Sequence, residues 1–162
     1  FYADGKIEKR GDDSIDFPLD STSLGGIYAD KIRLIGTSKG VGVKLPDIVQ
    51  TQQELTISAD GQIVMNKVAS KDTIEVVSTS DSIITNDVVY GTNGVVLEAK
   101  DSIQTNALVG SLEDVSLTAQ NSIVTNERVL AGVDEELVQK KEKTITIDAN
   151  SIETYDTIAA ND

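Results

Sequence analysis

Hydrophobic and polar positions alternate over short stretches of this chain. Leu55-Thr56-Ile57-Ser58-Ala59, Val95-Val96-Leu97-Glu98-Ala99 and Val115-Ser116-Leu117-Thr118-Ala119 each place an apolar side chain at every second position. A period of two marks a strand with one buried face, and no segment shows a helical period of similar strength. The alternation itself recurs. Asn66, Asn86, Asn106 and Asn126 stand 20 residues apart, and so do Ile63, Ile83, Ile103 and Ile123. A third column, Ile57, Val77, Leu97 and Leu117, keeps the same step. A further copy over 145–152 follows an insertion, since Leu117 and Ile147 are 30 apart; an earlier copy begins at Ile32, 23 residues before Leu55.

Twenty residues suffice for one coil of strand, corner, short strand, corner and return. A strand this short cannot bury its face alone, so neighbouring copies must stack. The expected fold is all-β: a right-handed parallel β-helix, or β-solenoid, of about six coils. At about 4.8 Å per coil the rod is roughly 30 Å long. An antiparallel β-sandwich is the runner-up, but it does not require a constant step of 20. Stacking would turn the Asn column into a ladder of amide hydrogen bonds and the Ile column into a continuous apolar stack. Thr73–Val77 is out of phase by one, which predicts a β-bulge. Gly61, Asp81, Asp101 and Asn121 share a column and are residue types that tolerate a left-handed corner. Thr85, Thr105 and Thr125, with Ser82, Ser102 and Ser122, are predicted to point outward as rows of hydroxyls.

Residues 1–24 read as an N-terminal β extension or irregular segment, a hairpin or loose strand stopped by Pro18. The shaft is expected over 25–162. Asp12 and Asp13 are adjacent but read as a solvated turn, not a metal site. Residues 131–143 are expected to leave the rod. Their acidic residues come first and their lysines last, which suits either a short helix with Glu136 paired to Lys140 or an extended hairpin. Excursions of this kind often carry contacts.

The 162 residues hold 14 Lys and Arg against 27 Asp and Glu, a net charge of −13, which repels nucleic-acid backbones. No apolar run is long enough for membrane insertion. His and Cys are absent, which removes imidazole bases, thiol nucleophiles, zinc sites of the usual ligand type and disulfides. Asp81 and Asp101, one coil apart, could share a cation or a proton as in a polysaccharide-active β-helix. Gly61 and Asn121 in the same column argue for turn conformation instead. The chain is therefore read as a non-enzyme, with no catalytic, cofactor-binding or metal residues and no cofactor.

The stretch Leu24-Gly25-Gly26-Ile27-Tyr28-Ala29-Asp30-Lys31-Ile32-Arg33-Leu34, continuing through Thr37 to Gly40-Val41-Gly42-Val43, closely resembles a motif of filamentous haemagglutinin-like exoproteins. That family includes the two-partner secretion adhesins, haemolysins and contact-dependent inhibition proteins of Gram-negative bacteria. Ile27 stands where the family usually has Met, and Ser38 where it usually has Glu. The downstream 20-residue units resemble the family's haemagglutinin repeats, and its NPNL and NPNGI strings are absent. The resemblance implies the end of a secretion domain plus the first coils of a fibre. It also implies export through an outer-membrane β-barrel transporter, and a secreted or cell-surface location. A structural shaft of an adhesin is the expected function, with a glycan- or host-protein-binding module as the alternative. Beginning at Phe1, the chain reads as a piece of a longer one, monomeric but inclined to stack end to end at high concentration.

Overall fold

The computed structural model describes residues 6–9, 15–16 and 26–160. Every regular element within them is a strand. The chain begins with β1 (Lys6–Lys9) and β2 (Ile15–Asp16), then runs through β3 (Ile27–Ala29), β4 (Lys31–Ile35) and β5 (Val43–Lys44). The next turn is β6 (Ile48–Thr51), β7 (Leu55–Ala59) and β8 (Ile63–Met65), followed by β9 (Lys67–Ser70), β10 (Thr73–Ser78) and β11 (Ile83–Thr85). Then come β12 (Val89–Gly91), β13 (Gly94–Ala99) and β14 (Ser102–Thr105). The turn after that is β15 (Val109–Ser111), β16 (Val115–Ala119) and β17 (Ser122–Thr125). The last is β18 (Val129–Ala131), β19 (Ile145–Asp148), β20 (Ser151–Thr154) and β21 (Ile158–Ala159).

Successive strands fall in turn on three seven-stranded sheets. The first sheet is β1-β4-β7-β10-β13-β16-β19, the second β2-β5-β8-β11-β14-β17-β20 and the third β3-β6-β9-β12-β15-β18-β21. All neighbours are parallel. This is the β-solenoid the repeat predicts, with six rungs of the first sheet from Ile32 onward. β1 and β2 add a rung to two different sheets, so these strands do not pair with each other as a hairpin. Asp12, Asp13, Pro18 and Gly25 lie outside the described residues.

The interior is a set of axial columns. In the first sheet Ile32, Leu55, Ile74, Val95 and Val115 align, with Leu34, Ile57, Val76, Leu97 and Leu117 beside them. In the second, Val43, Ile63, Ile83, Ile103 and Ile123 align. In the third, Ile27, Val49, Val68, Val89, Val109 and Val129 do so. All are buried, each worth about 1.5–3 kcal/mol relative to exposure.

Four local expectations need correction. There is no bulge in β10. Ile74 and Val76 pair straight onto Leu55 and Ile57, while Val77 faces outward opposite Ser58. The offset is absorbed by the corners. Met65 pairs with Thr85, 20 residues on, but Val68 pairs with Val89, 21 on, and the step returns to 20 at Ile83–Ile103. A bulge would break the ladder, whereas a corner can change length freely, so the third apolar column runs through Val76 and not Val77.

Gly61, Asp81, Asp101 and Asn121 are not left-handed: among the described residues, Leu137 is the one non-glycine with positive φ, and Gly61 is not among the positive-φ glycines. Gly61 is needed for closeness, since a Cβ there would lie 2.6 Å from the nitrogen of Gly42 in the coil before. Thr85, Thr105 and Thr125 point inward and are fully buried. They lie two residues after Ile83, Ile103 and Ile123, on the same side of the strand. The Ser row does stay at the surface, with Ser122 Oγ donating to Ser102 Oγ at 2.9 Å.

The Asn ladder forms over three of its four members. Asn126 Nδ2 donates to Asn106 Oδ1 at 2.8 Å, and Asn106 Nδ2 to Asn86 Oδ1 at 3.2 Å. Asn66 turns instead to the carbonyl of Leu45, 3.2 Å away. It sits at the corner where the one-residue offset begins.

Candidate binding groove beside the insertion

The ten extra residues enter at the corner between the third and first sheets, after β18. They form neither a helix nor an arm leaving the rod. Gly132 takes a φ of +79°, and a Cβ there would lie 2.0 Å from the Lys141 carbonyl, so only glycine fits the turn. Val133 then bridges antiparallel to Gln139. At the tip, Asp134 Oδ1 accepts from the backbone nitrogens of Val138 (3.0 Å) and Glu136 (2.9 Å), and these bonds, the Val138 one foremost, hold its carboxyl below the usual range. Leu137 takes a left-handed conformation with a φ of 65°. Lys140 pairs with Asp134 at 3.6 Å, not with Glu136 as a helix would have it.

The insertion folds back as a strap along the outer face of the third sheet. Tyr28, Gln50, Ala69, Tyr90, Gly110 and Leu130 stand in one outer column there. Tyr90, Leu108, Leu130 and Val133 form a second apolar cluster outside the solenoid, with Leu137 packed against it. The Tyr90 hydroxyl donates to the Val133 carbonyl at 2.8 Å. Burial, with the negative charges of Glu135 and Asp134, pushes the Tyr90 phenol up to about 12. At the far end Glu135 pairs with Lys71 at 2.9 Å, three rungs from the strap's root. At the near end Lys141 and Lys143 both donate to Glu113, whose carboxyl is held below its usual value by these two bonds.

Between strap and sheet lies a half-open groove of about 540 Å³. Ala69 supplies its floor because it is the small residue between Gln50 and Tyr90. One wall is Leu137 and the Glu135–Lys71 pair. The other is the column at the entrance to the sheet-three strands: Lys67, which opens β9, and Val88, Leu108 and Arg128, each one residue ahead of its strand. The groove therefore has an apolar centre between two cations, Arg128 at one end and Lys67 one rung in from Gln50 at the other. Neither Lys67 nor Arg128 belongs to an ion pair among the described residues.

None of these groove residues is singled out by the repeat. The signal in the sequence is the ten-residue lengthening itself, which marks where the strap would be but not which face it covers. Asp101 is committed to the ladder, accepting from Asn121 and, more weakly, Ser82 of the adjoining coils, whereas the Asp81 carboxylate turns to its own corner, Oδ1 accepting from the Ser82 nitrogen at 2.8 Å. Among the described residues no three acidic side chains cluster as metal ligands would, and no helix is long and apolar enough to cross a membrane.

Similarity to known proteins covers part of the chain. Over 64 residues, 39% of its length, it is 39% identical to a 16S rRNA endonuclease CdiA of Enterobacter cloacae subsp. cloacae. Over 47 residues, 28% of its length, it is 49% identical to a Toxin CdiA of Yersinia pestis. Over 74 residues, 44% of its length, it is 34% identical to a tRNA nuclease CdiA of Escherichia coli. The chain spans 1–2% of the length of these relatives. No protein-family model and no solved structure matches it.

Proposed function

We propose that the chain is a shaft segment of a filamentous exoprotein of a Gram-negative bacterium. The parent chain leaves the cell by two-partner secretion through an outer-membrane β-barrel transporter and is displayed at the surface or released. The segment has no catalytic role, and on its own it is monomeric. The observation that carries the reading is the unbroken axial register of all three sheets, which makes the molecule a rod extendable coil by coil. Partial similarity to CdiA proteins, together with the Leu24–Val43 motif, supports two-partner export. The nuclease and toxin activities in those relatives' names belong to chains of which this one matches a hundredth or so.

Antibodies raised against the isolated chain test the proposal on cells producing the parent protein. Intact cells should be labelled, external protease should remove the label, and deletion of the transporter should abolish it. Labelling that appears only after the cells are lysed would refute a surface shaft.

A further inference from the structure

We propose that the groove beside the strap binds a short oligosaccharide ending in a carboxylated sugar, lying along the axis of the rod. The site stands apart from the shaft reading, because it depends on the strap and the sheet-three face alone. Its volume is within the range of small-ligand pockets, and its lining has their usual make-up of apolar walls with a few polar groups. From Gln50 on β6 to Arg128 ahead of β18 is four rungs, about 19 Å, so the groove is long and narrow.

Charge decides the sign of the ligand. The chain carries −13 overall, yet the two unpaired charges in this groove are both positive, at Lys67 and Arg128. Arg128 offers the planar fork that matches a carboxylate with two parallel hydrogen bonds. Between the cations, half-buried Val88 and the edges of the largely buried Leu108 and Tyr90 line a narrow apolar strip that can meet the C–H face of a sugar ring. The exposed Gln50 side chain at the lower end offers both a donor and an acceptor to hydroxyl groups. A fatty acyl chain would leave that amide and the opposite cation unanswered, while a neutral glycan would leave Arg128 unanswered.

The test is an NMR titration of the isotopically labelled chain with 3′-sialyllactose and a glucuronate-terminated trisaccharide, using lactose and decanoate as controls. Both acidic sugars should shift the amides of Ala69, Tyr90 and Leu137, with lactose at least about tenfold weaker. Arg128→Glu should weaken acidic-sugar binding at least about tenfold. Ala69→Trp, which fills the floor, should abolish it while leaving distant amides unshifted. The proposal is overturned if lactose binds as well as its sialylated form, or if decanoate shifts these amides and neither acidic sugar does. Binding that survives Ala69→Trp overturns it too.

Discussion

The hydroxyl oxygens of Thr85, Thr105 and Thr125 are buried without a hydrogen-bond partner. Other inward hydroxyls are satisfied: Ser78 donates to the Gly61 carbonyl at 2.7 Å, and Thr51 to Ser70 Oγ at 2.9 Å. A buried hydroxyl with no partner costs roughly 1–3 kcal/mol. Thr105→Val, which keeps the shape and removes the oxygen, should therefore stabilise the chain by about 1 kcal/mol in chemical denaturation, whereas a loss of stability would mean the hydroxyl is bonded. The same residues show how the sequence can mislead. Period-two spacing from Ile83, Ile103 and Ile123 already put these threonines on the inner face. Their hydroxyls drew the outward reading, although a β-branched Thr fits either side of a strand. Asp101 and Asn121 mislead for a similar reason, since side chains typical of turns serve here as ladder partners.

At the scale of elements, strands and links behave differently. Strand positions were legible because burial on one face fixes the register. Links were not, because nothing periodic constrains them. The apparent bulge in β10 is a length change in its two corners, and the strap is a much larger change in another. The strap is held by Tyr90 of β12, whose hydroxyl reaches Val133 beside the root, and by the Lys71–Glu135 pair one rung beyond Tyr90. Because the Tyr90 phenol titrates at about 12 in the fold against 10 ordinarily, its neutral form is the one favoured by folding. The stabilisation is complete below pH 10 and lost as pH rises through 10 toward 12. Hydrogen-exchange protection of the Val133–Val138 amides, taken relative to their intrinsic exchange rates, should fall over that alkaline window in the native chain and already be low at neutral pH in Tyr90→Phe. Equal protection in the two proteins at neutral pH would show that the phenol does not hold the strap. At acid pH the sign reverses. Glu113, depressed from 4.5 by two lysines, supports the strap above pH 4.5 and releases it as pH falls below that value.

For the molecule as a whole, each coil is buried mainly by its neighbours. Ile123 and Val129 are fully buried, whereas their counterparts on the last rung, Ile152 and Ile158, are 46% and 36% exposed. Stability is then a sum of coil and nearest-neighbour contributions. A charge introduced mid-stack should divide the rod. Ile103→Asp, which buries a carboxylate in the second-sheet column, should leave the coils after β14 open to protease while those before it stay protected. Uniform resistance, or uniform loss of structure, would contradict a stack coupled only to nearest neighbours.

The alignment of like columns has a genetic corollary. Since each coil offers its successor the same kind of upper edge that it received from its predecessor, unequal recombination between the similar 20-residue units would add or delete whole turns without disturbing those on either side. Overall reach can thus drift in descendant lineages in increments of about 4.8 Å, while corner loops diversify separately, one insertion at a time.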